Sequence, residues 1–395
     1  MPKDKSMYAQ RGVSSTKEEV HAAITGLDKG IYPNSFCKIL PDIAGNLDYC
    51  FAQSVDTAGT KPSASYLAWK ETGDISYFMK IVQDAIVMNI DDLACAGFTN
   101  NFYLSSVIAR NKFLISGDVI KALIQGQIDF IQSMQGQGIN IIHTGGETAD
   151  VSDIVRTLDV GASATARALR SDIISIEPHA GMVIVGLASF GQASYETEYN
   201  SGIGSNGLTN GRHSLLCGSK YAQYAESYSP EMAAKFAYVG DYTLSDKPEI
   251  LGGQTVANAL LSPTRTYLPI LRDVLQSVPR AAIGGIVHCT GGGQTKVNHF
   301  IGDLPIEIIK DNLFNAPGIF NLIQEAGDIP WQEMYNTLNM GHRMEVYVSP
   351  DFANEIINIS KKFNVDAKIV GRVEEGPISE PNKIRIETSK GVFIY

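Results

Sequence analysis

The chain has 395 residues, of which 44% are hydrophobic and 19% charged, with a formal net charge of -10. This composition excludes disordered, collagen-like and disulfide-dense classes, and the acidic balance disfavours a nucleic-acid reader, whose backbone contacts need a basic face. Two domains are expected at this length. Five scattered cysteines (Cys37, Cys50, Cys95, Cys217, Cys289) form no CxxC pair and read as reduced thiols, without a zinc knuckle. The start carries no apolar stretch of the signal-peptide kind, and no run is long enough to cross a bilayer, so a soluble, cytoplasmic protein with no membrane partner is expected.

The first element is a strand, LDYCFAQSV, whose alternation puts Leu47, Tyr49, Phe51 and Val55 on one half-buried face and ends on Asp56. The Ala-Gly-Thr-Lys that follows reads either as a turn or as a place where Gly59 lets backbone approach a metal-bound phosphate beside Lys61. A helical stretch, YFMKIVQDAIVMNIDDLACAG, comes next. After it come a strand NFYLSSVIA, a long helix SGDVIKALIQGQIDFIQSMQ, a strand INIIHT and a strand from Ile154 to Ala166. This alternation defines an α/β or α+β domain ending near Arg170. A second unit opens with GMVIVGLAS at 181–189. It continues through a helix around 207–217, an excursion at about 220–257 that looks like an insertion, a helix after Pro263 and the strand AAIGGIVHC. It closes with a helix near Pro317 to Ala326, the strand RMEVYVS, the helix DFANEIINISKKF, the strand AKIVGRV and a hairpin at Lys390-Gly391. The expected domains are 1–170 and 171–395.

Acids recur at element ends in the first half: Asp56, the pair Asp91-Asp92, and Glu147 in TGGETAD. Such a set suits Mg²⁺, which wants oxygen ligands and keeps places for water and substrate phosphates. Asp84 and Asp91 lie two turns apart on one helix face, while Asp92 points about 100° further round, toward Ala85 and Met88. An acid there is costly unless paired or metal-bound, and capping of a neighbouring loop is the other reading. Gly145-Gly146 before Glu147 is either a phosphate-type backbone approach or a turn.

Two glycine patterns are set aside. GIGSNG at 202–207 matches GxGxxG without a buried strand before it, and TGGGQTK at 290–296 lacks P-loop spacing, so Lys296 is not a Walker lysine. The triple glycine reads as a turn whose amides could hold a phosphate, and Ser205-Asn206-Gly207 as a helix cap or an anion site. His143 and His288 read as packing or backbone-bonded residues, which leaves His342-Arg343 as the histidine pair to follow.

Taken together, DTAGTK, IDDLACAG, GGETAD, SNGLT, SPTRTY, TGGG and the NMG before Met344 resemble the aminoimidazole ribonucleotide synthetase (phosphoribosylformylglycinamidine cyclo-ligase) family, in family order from residue 56 to about 344. A weaker similarity extends to the ATP-binding superfamily containing thiamine-monophosphate kinase and selenophosphate synthetase. The resemblance implies an α/β (α+β) fold of two domains. The N-terminal mixed sheet would join that of a second copy in a homodimer to form a shared barrel, and the C-terminal domain would be an α/β sandwich. It also implies ATP and Mg²⁺ between the domains, and a nucleotide substrate whose formyl oxygen is phosphorylated before ring closure.

Carried over by position, Asp56, Asp91, Asp92 and Glu147 would hold the metal, with Asp84 in support. Lys61, Gly59, Thr60, Gly145 and Gly146 would meet phosphates. Ser205, Asn206, Thr290, Gly291, Gly292 and Gly293 would take substrate phosphate or ribose, with Arg265 and Asn339 lining the cleft. The chain departs from the family pattern at Gly204, where a histidine is usual, in the strand NFYLSSVIA, where serine replaces an aspartate, and at His342-Arg343, where NxGxGM has become NMGHRM. His342 is then the candidate to replace the missing histidine, alongside Lys61 and Asn339 in catalysis. The resemblance also leaves open a kinase or synthetase with another acceptor, or a silent nucleotide-binding homologue.

Overall fold

The helix Ile81–Cys95 is buried at every position except Gln83 and Asp92, the signature of a helix enclosed on all sides. In the computed structural model, which describes residues 6–14, 18–302, 304–377 and 383–395, it lies between two sheets and packs against both. The first sheet contains β1 (Ile39–Pro41), β2 (Tyr49–Thr57), β3 (Phe102–Arg110), β4 (Ile141–Asp150) and β5 (Leu158–Leu169) in the order β1-β2-β5-β3-β4. Only β3 and β4 are parallel. The second contains β6 (Val183–Ala188), β7 (Ile283–His288), β8 (Ile306–Lys310), β9 (His342–Val348), β10 (Ala367–Glu375), β11 (Ile384–Thr388) and β12 (Gly391–Ile394). Its order is β12-β11-β8-β10-β6-β9-β7, with β8 and β11 parallel.

Three features differ from the sequence reading. The apolar face of β2 is the open one: Cys50 and Ala52 point into the core, while Leu47 and Val55 are 79% and 72% exposed. The small residues are inward because the helix Ile81–Cys95 lies directly on β2 and β5, leaving no depth for aromatic rings. Second, β4 runs straight through Gly145-Gly146 rather than turning, with a bulge at Thr144-Gly145 where its register against β3 shifts. A β-carbon on Gly146 would sit 2.5 Å from Ser106 O. Third, a helix, Lys61–Thr72, follows Thr60. It carries no apolar stripe because Ala64 through Ala68 are all buried, so no helical period shows in the sequence.

A polar seam joins the two halves. Asp84 Oδ1 accepts from Lys61 Nζ (2.9 Å), Thr264 N (2.9 Å) and Thr264 Oγ1 (2.5 Å), and Lys61 also donates to Ser262 O at 2.5 Å. Two turns on, Asp91 accepts from Thr266 Oγ1 (2.5 Å) and Tyr267 N (2.9 Å). The SPTRTY segment is thus gripped by one face of the helix Ile81–Cys95.

The 220–257 excursion contributes a second attachment, folding back onto the helix Lys61–Thr72. Glu71 accepts from Tyr221 and Ser245 hydroxyls and pairs with Lys220 at 2.8 Å, and Tyr66 donates to Glu226 at 2.6 Å.

Asp84→Ala leaves the wholly buried Lys61 ammonium without its carboxylate and should lower the unfolding free energy by about 3–5 kcal/mol in urea titrations. Burial pushes the Asp91 carboxyl from 3.8 up to about 6, against the hydrogen bonds from the Thr266 hydroxyl and the Tyr267 amide. The folded state therefore holds a proton that the unfolded state has lost between these values, and this contribution to stability is present below about pH 4 and gone above about pH 6. Asp91→Asn should gain melting temperature relative to the parent protein as pH is raised through that window.

Candidate active site

A cavity of about 700 Å³ opens between the two domains, within the range of small-molecule sites. Its N-terminal wall is the end of β2 (Asp56, Thr57), the Gly59-Thr60 step, and Met88 and Asp92 of the helix Ile81–Cys95. The opposite wall is Ser205 to Thr209, the turn Thr290–Gly292, and Lys296. Another hollow, of about 750 Å³, lies around Tyr199, Gln254 and Pro317 and contains none of the sequence-predicted residues.

Two helices from different domains begin at this cavity. Lys61–Thr72 starts after Thr60 with Pro62 in its first turn, and Leu208–Leu215 starts after Gly207, whose φ is +73°. The positive dipole ends of both helices, and the first-turn amides of Leu208–Leu215, favour an anion between them. The ends are held together: Thr60 Oγ1 and Thr209 Oγ1 share a hydrogen bond of 2.9 Å, and a β-carbon on Gly59 would already touch Ser205 O at 3.8 Å. Gly292 at φ +97° turns the third loop inward, and the buried Asn206 Oδ1 beside it has no partner.

Asp92 keeps 24% of its side chain open and receives a 2.8 Å hydrogen bond from His288 Nδ1. Burial pushes its carboxyl up to about 7, with Lys296 pulling the other way, and burial lowers His288 to about 3, so the imidazole is neutral. His288 therefore serves the site through Asp92, beyond the packing role read from the sequence.

Of the predicted site residues, Asp56, Gly59, Thr60, Asp92, Ser205, Asn206, Thr290, Gly291 and Gly292 line this one cavity. The others lie elsewhere. Lys61 is wholly buried on Asp84 rather than turned to phosphate, because its helix points it into the seam. Asp84 and Asp91 are consumed by backbone amides and hydroxyls of the seam. Glu147, with Gly145 and Gly146, is in mid-strand on the edge strand β4. The row Thr57–Gly161–Val107–Glu147 spans three strand spacings, putting Glu147 roughly 14 Å from the end of β2.

Arg265 is fully buried, bidentate on Glu196 at 2.9 and 2.5 Å. Gly293 packs under Tyr335 and Leu338. Asn339 accepts from Ser189 Oγ and donates to Gly202 O, each at 2.8 Å, so it braces the loop before Ser205. His342 is 1% exposed and bonded to Glu345 (2.8 Å), which also holds Lys310, so it belongs to the second sheet's core and not to the cavity.

Among the described residues no group of three or more His, Cys, Asp or Glu side chains is gathered to hold a metal ion. The expected four-acid centre is therefore not formed by this chain's side chains. What remains is a two-carboxylate set, Asp56 and Asp92, in one cavity, which fits an ion that takes its other ligands from phosphate and water. Lys296, dismissed as a Walker lysine, is the cation that sequence reading missed. Its ammonium lies 5.7 Å from the Phe36 ring centroid and acts on Asp92. It sits on the short 3-10 helix Gly293–His299 that follows the triple glycine, and spacing rules for P-loops do not cover such a position.

A two-domain α/β fold with a cleft between the halves whose helix ends favour an anion defines a class of small-molecule-binding protein. Family models of AIR synthase related protein match it in both halves, the N-terminal domain over residues 39–168 and the C-terminal domain over 179–382. The chain belongs to this AIR synthase related family.

It is similar to the phosphoribosylformylglycinamidine cyclo-ligase of Methanocaldococcus jannaschii, 30% identical over 339 residues, covering 85% of this chain and 82% of that protein. In fold it resembles T. maritima PurL complexed with FGAR (TM-score 0.54, 17% identity), covering 96% of this chain and 49% of that one, so it spans about half the length of that longer chain. It also resembles thiamine-monophosphate kinase from Stenotrophomonas maltophilia K279a (TM-score 0.51, 14% identity), covering 95% and 96%.

Replacing Thr60 by Val removes the hydroxyl pair that ties the two helix starts together and should cost about 1 kcal/mol of stability, read from the denaturation midpoint at constant slope.

Proposed function

We propose that this chain catalyses the ATP-dependent ring closure of formylglycinamidine ribonucleotide to aminoimidazole ribonucleotide, the reaction of the cyclo-ligases it resembles. The observation that carries the reading is the convergence of two helix N-termini and the Thr290–Gly292 turn on a cavity that also holds Asp56, Asp92 and Lys296. That arrangement suits a triphosphate on the β2 side facing a phosphorylated acceptor on the Ser205–Gly207 side.

In the reaction the γ-phosphoryl group passes from ATP to the formyl oxygen, leaving ADP, and the amidine nitrogen attacks the activated carbon. The C–O bond then breaks with loss of inorganic phosphate and a proton. The chain's task is alignment, charge neutralisation and exclusion of water. Asp56 and Asp92 would hold Mg²⁺, which when bound neutralises the triphosphate. The positive ends of the helices Lys61–Thr72 and Leu208–Leu215, brought close at Gly59, receive phosphate oxygens, and Lys296 adds charge. Ser205, Asn206 and Thr290 orient the acceptor.

A homodimer and a cytoplasmic location belong to the same reading. The dimer is supported by the uncovered face of the first sheet, where Val55, Tyr103, Val107 and Ile142 are all exposed, an apolar surface that a second copy would cover. Among the described residues no helix is long and apolar enough to cross a membrane.

Asp56→Asn should abolish formylglycinamidine-dependent ATP turnover while the melting temperature holds; turnover at the parent rate would remove the carboxylate from the mechanism. Lys296→Ala should raise the KM for ATP roughly tenfold or more, the loss expected for one charge-assisted contact.

A further inference from the structure

Gly204 immediately precedes the cavity-lining pair Ser205-Asn206 and has a φ of +69°. A β-carbon placed on it would stand 2.8 Å from Nη1 of Arg343 and 3.8 Å from Thr264 Oγ1. The guanidinium thus occupies the volume that any side chain at 204 would need. Arg343 reaches this place from β9, is 2% exposed, and lies with Cζ 5.6 Å from the Tyr267 ring centroid. Nη2 donates to Arg265 O at 2.6 Å, and Nε is buried without a partner.

Among the described residues Arg343 enters no ion pair; Asp84 Oδ1 is taken by Lys61 and Thr264 while its Oδ2 is buried without a partner, and Asp91 is held by Thr266 and Tyr267. A buried cation that is only partly solvated by its neighbours projects its field further than a surface one. Arg343 Nη1 lies directly against the backbone of Gly204, where the loop to Ser205 begins.

We propose that Gly204 and Arg343 are one exchanged unit, in which residue 204 gives up its side chain so that the fixed positive charge of Arg343 stands directly behind the Gly204–Gly207 loop and positions the anionic group of the acceptor substrate. This rests on the reading of the cavity as a cyclo-ligase site. Arg343 is a positioning residue, acting through the loop. A guanidinium keeps its charge across the working pH range, so this side of the cleft holds an anion without relying on a titrating group. Both departures from the family pattern noted in the sequence, the missing side chain at 204 and the bulky residue at 343, then have one physical cause.

The test is a set of five variants, Arg343→Met, Arg343→Lys, Arg343→Gly, Gly204→Ala and Gly204→Ala/Arg343→Gly, with ATP and formylglycinamidine ribonucleotide varied separately. Arg343→Met should raise the acceptor KM at least tenfold with the ATP KM within twofold, and Arg343→Lys should recover most of the loss. Gly204→Ala should melt lower than the parent. Adding Arg343→Gly to it should raise the melting temperature again, although Arg343→Gly alone lowers it.

Thermal protection by inorganic phosphate, present in the parent and lost in Arg343→Met, reads the charge independently of turnover. A parent protein that is protected by phosphate but turns over no formylglycinamidine ribonucleotide would refute the reaction and leave the exchanged pair standing. The pair itself is refuted if Arg343→Met changes melting temperature with both KM values intact, if the two substitutions lower melting temperature additively, or if phosphate protects parent and variant alike or neither.

Discussion

The structure depends on two carboxylates buried along one face of the helix Ile81–Cys95. Asp84 and Asp91, two turns apart, grip the amides and hydroxyls of Thr264, Thr266 and Tyr267 and so lock the SPTRTY segment of one domain to the central helix of the other. Charges at zero exposure are expensive, and they are tolerated here because each lies against several donors and, for Asp84, a lysine. The same helix carries Asp92 one step round, where it leaves the seam and enters the cavity. One element therefore both fixes the domain interface and presents an acid to the ligand.

That arrangement explains why the site forms where it does. Once the helix Ile81–Cys95 and the SPTRTY segment are locked, the start of the helix Lys61–Thr72 is brought up to the start of Leu208–Leu215, and their threonines meet at 2.9 Å. Neither helix end alone makes a specific pocket. Facing each other across a cavity floored by Asp56 and Asp92, they make a cleft whose helix ends favour negative charge. Asn339, buried and hydrogen-bonded to Ser189 and Gly202, supports the loop that leads into Ser205 from behind.

Much of this was legible in the chain. Alternation and glycine placement located most of the strands, and the end of β2 at Asp56 and the turn at Thr290–Gly292 both face the cavity. The spacing of Asp84, Asp91 and Asp92 gave their relative directions, but not which direction held the ligand. A buried acid looks the same in sequence whether an ion or a backbone amide satisfies it. Lys61 and His342 were misplaced for a related reason, since a cation beside an acid motif can pair within the core as readily as with phosphate, as Lys61 with Asp84 and Lys310 with Glu345 do. The helix Lys61–Thr72 was invisible because burial on nearly every side erases periodicity, and β4 was cut short because a Gly-Gly pair reads as a turn although the strand passes through it.

The 220–257 excursion has an effect that reaches beyond its own residues. By fastening Tyr221, Ser245, Lys220 and Glu226 onto Glu71 and Tyr66 of the first domain, it adds a strap on the flank of a cleft already closed by the seam. Rotation of one half against the other would have to undo both attachments together. The mouth is then a fixed aperture, and the entropic cost of arranging its walls is met when the chain folds, not each time a ligand arrives.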